Sequence, residues 1–281
     1  MKRLIYTIVL LLCVGSIIAG NIHWNNKLSA QAEMLREPVK VDNVEEDKHT
    51  EGNLPKEEIE KAAEPEPDKQ SHKDLSTYIK HLPKTLQDKI IASSKTGQPL
   101  QFVIYGSESS PEENGAWPEL FKKQLVETYG EGIFNITVIS EGEKTSIDVN
   151  RTKSYEKVSE LKPDIVLFEP FTISDNTEKI AMKNRFDSIG KVIESWKAVN
   201  EEVTIFLQPG NPIYGATYYP KQIDELRVFA EEQNIAYLNH WEKWPDAKDE
   251  KLKNYLTAES LPNDSGHKVW MEYLSQYFVG K

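Results

Sequence analysis

The chain has 281 residues, 38% of them hydrophobic and 28% charged, enough to bury a sizeable core if most of it folds together. Its 34 basic and 45 acidic side chains leave a net charge of -11, which repels phosphate backbones and argues against nucleic acid as a partner. The single cysteine, Cys13, sits in an N-terminal apolar run, so the rest of the chain has no internal disulfide, thiolate metal cage or cysteine nucleophile.

In chain order, Lys2 and Arg3 come first and precede an uncharged stretch from Leu4 to Ile22, close to the roughly 20 residues a membrane helix needs. The flanking positive charge keeps the N-terminus in the cytoplasm and sends the rest outside. Residues 1–24 therefore read as a membrane anchor or a signal segment. Lipidation fits less well, because Leu12 rather than a small residue precedes Cys13. Both favoured readings give an extracytoplasmic protein, anchored to the cell membrane or secreted. Residues 25–74 are rich in Glu, Lys, Asp and Pro, as in Glu64-Pro65-Glu66-Pro67-Asp68. Such a segment buries too little apolar surface to offset its ordering entropy and predicts a disordered acidic linker. An acidic binding arm is the sharper alternative.

From Leu75 the pattern changes, and residues 75–281 read as one α/β domain. Leu75, Tyr78, Ile79, Leu82, Leu86 and Ile90 recur at helical spacing, with Pro83 set to break the run. Phe102 to Tyr105 predicts a strand, and a helix begins near Pro118 with Phe121, Leu125 and Tyr129 on one side. Ile136 to Ile139 predicts the second strand; Tyr155, Val158 and Leu161 predict a helix stopped by Pro163. Ile165 to Phe168 is wholly apolar, as a strand covered on both faces requires. Phe186, Ile189, Ile193 and Trp196 form a helix stripe, Val203 to Leu207 a strand, and 221–233 a helix. A short strand at 236–238 and a last helix carrying Trp270, Leu274 and Phe278 complete the pattern. This alternation predicts a doubly wound, mostly parallel sheet with helices on both faces. Ligands in that architecture bind beyond the carboxyl ends of the strands, so the loops there carry the information.

The first such loop is Gly106-Ser107-Glu108-Ser109-Ser110-Pro111, where a serine nucleophile or an ordinary turn would sit. After the third strand, Asp175 or Asn176 is placed to cap a helix or face the cleft. Gln208 to Tyr214 is polar, turn-rich and aromatic. Asp264 and His267 have the spacing of a base and its orienter; equally, Asp264 caps the last helix and His267 lies in its first turn. No spacing suits a metal, and no phosphate loop or dinucleotide fingerprint is present, so no cofactor is expected.

Taken in order, Phe102 to Leu120, Lys162-Pro163-Asp164-Ile165-Val166 and Leu261-Pro262-Asn263-Asp264-Ser265-Gly266-His267 resemble the blocks of the SGNH, or GDSL-like, hydrolases. The resemblance implies a flavodoxin-like sheet and a serine esterase, in which histidine deprotonates the serine and aspartate orients the histidine. It implies Ser109 or Ser107 as nucleophile, His267 with Asp264 as base and orienter, and Gly142 and Asn176 in the oxyanion hole. Aligned on Gly106, Glu108 falls on the nucleophile position. Leu261 stands where the last block has its histidine. The resemblance thus implies an extracytoplasmic hydrolase of an acyl ester, with a small-molecule or cell-envelope glycan ester as substrate. The alternative is an inactive module of the same fold that binds glycan or protein. A glutamate-based hydrolase using Glu108 is a third option.

Overall fold

The computed structural model describes residues 75–280. The anchor and linker expected over residues 1–74 lie outside the described residues.

Helices α1 (Ser76–Ile79) and α2 (Lys84–Thr96) lead into strand β1 (Leu100–Gly106). There follow α3 (Trp117–Tyr129), β2 (Phe134–Ser140), α4 (Ser146–Thr152), α5 (Glu156–Glu160), β3 (Ile165–Phe168), α6 (Thr172–Thr177), α7 (Met182–Val199) and β4 (Thr204–Leu207). The chain ends with α8 (Tyr219–Glu232), β5 (Ala236–Tyr237), two 3-10 turns (His240–Lys243 and Glu250–Tyr255) and α9 (Asp264–Val279). The strands form one parallel sheet in the order β2-β1-β3-β4-β5. This is the doubly wound, flavodoxin-like arrangement that the alternation predicts. Its topological switch point lies at β1, whose neighbours β2 and β3 follow it on opposite sides.

Alternation along the strands divides the core in two. Phe102, Ile104, Ile165, Leu167 and Phe206 join a cluster with Trp117, Phe121, Trp270 and Phe278 from α3 and α9. Val103, Tyr105, Val166, Phe168 and Leu207 join the other, with Ile189, Trp196 and Leu226 from α7 and α8. Both faces of the central strands are covered, which is why Ile165 to Phe168 needs no polar residue.

The helix ends follow local chemistry. Pro83 stands at the N-cap of α2 and separates it from α1, because its ring cannot continue a helix. Thr145 and Asp148 form a reciprocal capping box on α4, satisfying backbone donors that the first turn leaves open. Two sequence expectations are corrected here. Asp175 and Asn176 do not cap the helix that follows them; they lie inside α6, whose N-cap is Phe171, and the Asp175 carboxylate instead accepts the first N–H of α4, from Ser146. Asp264 is likewise the first residue of α9, and the cap is Asn263, whose side chain accepts from the Ser265 and Gly266 N–H groups.

Candidate functional site

Three strands end side by side beneath the switch point. Tyr105 pairs with Phe168 and Phe168 with Leu207, so Gly106, Glu169 and Gln208 continue the row by one residue. The Glu169 N–H donates to the Tyr105 carbonyl at 2.9 Å and the Gln208 N–H to the Phe168 carbonyl at 3.0 Å, extending the ladder into the loops. By strand alternation all three residues face the α3 and α9 side. Gly106 is required for the fit: a Cβ there would stand 2.6 Å from Ser110 Oγ and 2.8 Å from Glu169 Oε2.

Glu169 is wholly buried. Its Oε2 accepts from the Ser107 N–H at 2.8 Å, the Ser107 hydroxyl at 2.8 Å and the Ser110 hydroxyl at 3.1 Å. Its Oε1 has no hydrogen-bond partner. Burial pushes its pKa up to about 8, and the three hydrogen bonds offset only part of that rise. At neutral pH Glu169 is therefore a neutral acid, unable to serve as a general base.

The other serines are equally engaged. Ser109 is fully buried; its hydroxyl donates to Asn211 Oδ1 at 2.9 Å, and its N–H donates to Ser107 Oγ at 3.2 Å. Asn211 uses its Nδ2 to hold the Ser260 carbonyl at 2.8 Å and the Pro212 carbonyl at 3.1 Å. Glu108 is partly exposed, and its N–H donates to the Gly142 carbonyl at 2.9 Å. Burial, and then the neighbouring Glu143 charge, raise the Glu108 pKa. Gly142 adopts a left-handed φ of 61°, natural for glycine. Its N–H donates to Ser140 Oγ at 3.3 Å, and the Ser140 hydroxyl donates to the Ser107 carbonyl at 2.8 Å.

The sequence-derived base lies elsewhere. His267 is half-buried, and its Nδ1 accepts from the Trp117 backbone N–H at 3.2 Å. That bond requires an unprotonated Nδ1. Burial lowers the pKa, against smaller opposing effects of Asp264 and Glu113. No hydrogen bond links His267 to Ser107, Ser109 or Asp264 among the described residues. Trp117 stands between the groups: its indole N–H donates to the Ser109 carbonyl at 2.9 Å, and its backbone N–H to His267. Asn176 lies in α6, its carbonyl accepting from Lys179 N–H at 3.2 Å. The structure thus brings together Ser107, Glu108, Ser109 and Gly142, and leaves the Asp264–His267 turn hydrogen-bonded to none of them.

His240 is a core histidine. Its Nε2 lies 2.9 Å from the Pro209 carbonyl, while its Nδ1 accepts from Trp244 Nε1 at 3.0 Å, fixing a proton on Nε2. It stacks on Trp270 at 3.8 Å, and Trp270 stacks on Trp117 at 4.7 Å. Burial drives its pKa down to about 3. Among the described residues no cluster of His, Cys, Asp or Glu is placed to hold a metal.

This sheet order, with helices on both faces, matches solved esterase structures. A G-D-S-L-family lipolytic protein from Desulfitobacterium hafniense superposes with a TM-score of 0.51 at 19% identity, covering 63% of this chain and 99% of its own. A carbohydrate esterase of family 3 from Talaromyces cellulolyticus gives 0.52 at 14% identity, covering 62% of this chain and 94% of its own. The fold is that of the SGNH, or GDSL-like, hydrolases. No protein-family model and no curated protein matches the chain. In this SGNH fold, the Leu261 that replaces the resemblance's histidine closes a tight turn. Its N–H donates to Thr257 Oγ1 at 3.3 Å, and its carbonyl accepts from Thr257 N–H at 2.8 Å.

Sequence reasoning placed Glu169 and Asn211 in the right loops but gave neither a role. The signal for Glu169 was available. It follows an unbroken apolar strand, so the parallel ladder carries it inside. Asn211 offered no comparable signal, since Asn-Pro is an ordinary turn pair.

Proposed function

We propose that this chain is an extracytoplasmic, membrane-tethered SGNH-fold protein that binds a glycan ligand at the carboxyl ends of its strands. The tether and location rest on the charged and apolar N-terminal sequence. One observation carries the non-hydrolytic reading: every serine hydroxyl in the run after β1 donates to a carboxyl or amide oxygen, and none to an imidazole. A serine without a base is a poor nucleophile at neutral pH. The glycan preference rests on aromatic groups near the β4 and β5 ends. Tyr218 is 72% exposed, Tyr214 lies under the Lys253 ammonium at 4.3 Å, and Trp241 anchors its indole N–H on the Gly210 carbonyl at 2.7 Å.

A second reading, hydrolysis of an acyl ester, is favoured by Trp117. It touches both Ser109 and His267, so a shift of one loop would bring the two closer. The test uses the full-length chain with p-nitrophenyl acetate, beside Ser107→Ala, Ser109→Ala and His267→Ala. The binding reading expects all four to match the buffer blank, while calorimetry with cell-envelope glycan fragments shows binding that Tyr218→Ala weakens several-fold. Hydrolysis abolished in Ser109→Ala and His267→Ala would instead establish the esterase.

A further inference from the structure

The Glu169 contacts form a chain. Glu169 Oε2 holds Ser107 by its N–H and hydroxyl and Ser110 by its hydroxyl. Ser107 Oγ in turn accepts the Ser109 N–H, and the Ser107 carbonyl accepts the Ser110 N–H at 3.0 Å. Ser109 then passes the restraint to Asn211 through its hydroxyl and to Trp117 through its carbonyl. One buried carboxyl group therefore fixes the whole turn. Its second oxygen, Oε1, is buried and makes no hydrogen bond, so an ionised Glu169 would carry charge on an oxygen that the closed turn leaves unpaired.

We propose that the Ser107–Ser110 segment is a pH-sensitive latch: Glu169 holds it shut as a neutral acid, and loss of the Glu169 proton lets the segment open so that the carboxylate meets water.

The titratable neighbours act in one direction. Glu108, on the latch itself, opposes ionisation of Glu169 and is itself opposed by Glu143 from the loop after β2. Tyr219 of α8, held neutral by burial and by the Glu169 charge, shares its hydroxyl with Thr172 Oγ1 at 3.1 Å. The sign follows from the proton count. The closed latch binds the proton up to about pH 8, whereas an open, hydrated glutamate releases it near its ordinary value of about 4.3. Across that window opening releases one proton, so the open fraction rises by up to about tenfold per pH unit and then levels off.

The test is amide hydrogen exchange of the full-length chain from pH 6 to 9, with each rate divided by that of unstructured peptide at the same pH. In the wild type, opening at the Ser107, Ser109 and Ser110 amides is expected to rise about tenfold per pH unit and to flatten near pH 8. The β1 and β3 amides of Ile104 and Leu167 are expected to stay unchanged. Glu169→Gln keeps an acceptor for the same donors without a titrating proton, and its exchange is expected to be flat. Flat exchange in the wild type, or an equal rise in the variant, overturns the latch. If Glu169→Gln does not fold, a carboxyl carbon NMR titration of wild-type Glu169 decides: a midpoint in the ordinary glutamate range overturns the proposal. These measurements read the loop itself, so they stand apart from whether the cleft binds or hydrolyses its ligand.

Discussion

Asn211 joins three segments through one amide: the serine run after β1, its own loop after β4, and the Ser260 carbonyl before α9. Ser260 holds a left-handed φ of 66°, a conformation that costs a non-glycine residue energy unless its surroundings hold it. Asn211→Ala leaves the Ser109 hydroxyl and two carbonyls without this partner. The expected loss of stability is about 2–4 kcal/mol, read from urea unfolding midpoints. A variant within about 0.5 kcal/mol of wild type would mean that water replaces the amide at little cost. At this scale the sequence was only partly legible. Ser107, Glu108 and Ser109 could be placed at the end of β1 from the glycine and hydroxyls there, a pattern that suits a turn as well as a nucleophile. Their partners were not, because hydrogen bonds between Ser109 and Asn211 span 102 residues and leave no local pattern. The Asp264–His267 spacing read equally well as chemistry and as a helix start. The structure gives the capping role to Asn263, one residue earlier.

Among the elements, α9 carries a glycine that runs against helix propensity. An alanine at Gly266 would ordinarily stabilise a helix by about 1 kcal/mol. Here a Cβ would come within 2.3 Å of the Tyr255 carbonyl oxygen and 2.9 Å of the Trp244 ring. The carbonyl is backbone and cannot rotate away, so steric cost outweighs propensity. Gly266→Ala is expected to lower the melting temperature, and an increase would show that α9 can slide off the Tyr255 turn. Elements with continuous or periodic apolar residues were legible: the five strands, α3, α7, α8 and α9 fall where the sequence puts them, because burial on one or both faces forces the pattern. The short helices α4 and α6 escaped. Ser146–Thr152 and Thr172–Thr177 are mostly polar or small, and too short for a stripe. Their existence depends on the Thr145–Asp148 box and on buried Asp175, whose carboxylate accepts the Ser146 N–H at 2.8 Å. Tertiary contacts of that kind have no periodicity to read.

For the molecule as a whole, two buried groups set opposing limits on stability with pH. His240 is held neutral well below its ordinary value of about 6.5, down to about 3. The unfolded chain therefore binds a proton that the folded chain refuses as pH falls below about 6.5, and stability is lost toward acid. His267, also depressed, acts in the same direction. Glu169 works the other way. The folded chain keeps its proton up to about pH 8, while the unfolded chain releases it near about 4.3, so stability falls as pH rises through that interval. Each group contributes a slope of up to about 1.4 kcal/mol per pH unit. Between about pH 5 and 6 His240 alone offsets Glu169, and the depressed His267 adds to the acid side, so stability is expected to rise with pH there. From about pH 6.5 to 8 the histidines lose the last of their effect and Glu169 dominates, for a net fall of roughly 1 kcal/mol. Urea unfolding of the full-length chain at half-unit steps measures this profile. Glu169→Gln removes the alkaline fall and steepens the rise of stability with pH below about 6.5. A wild-type stability that held level or rose from pH 6.5 to 8 would show that Glu169 ionises normally within the fold, and that solvent already reaches its second oxygen.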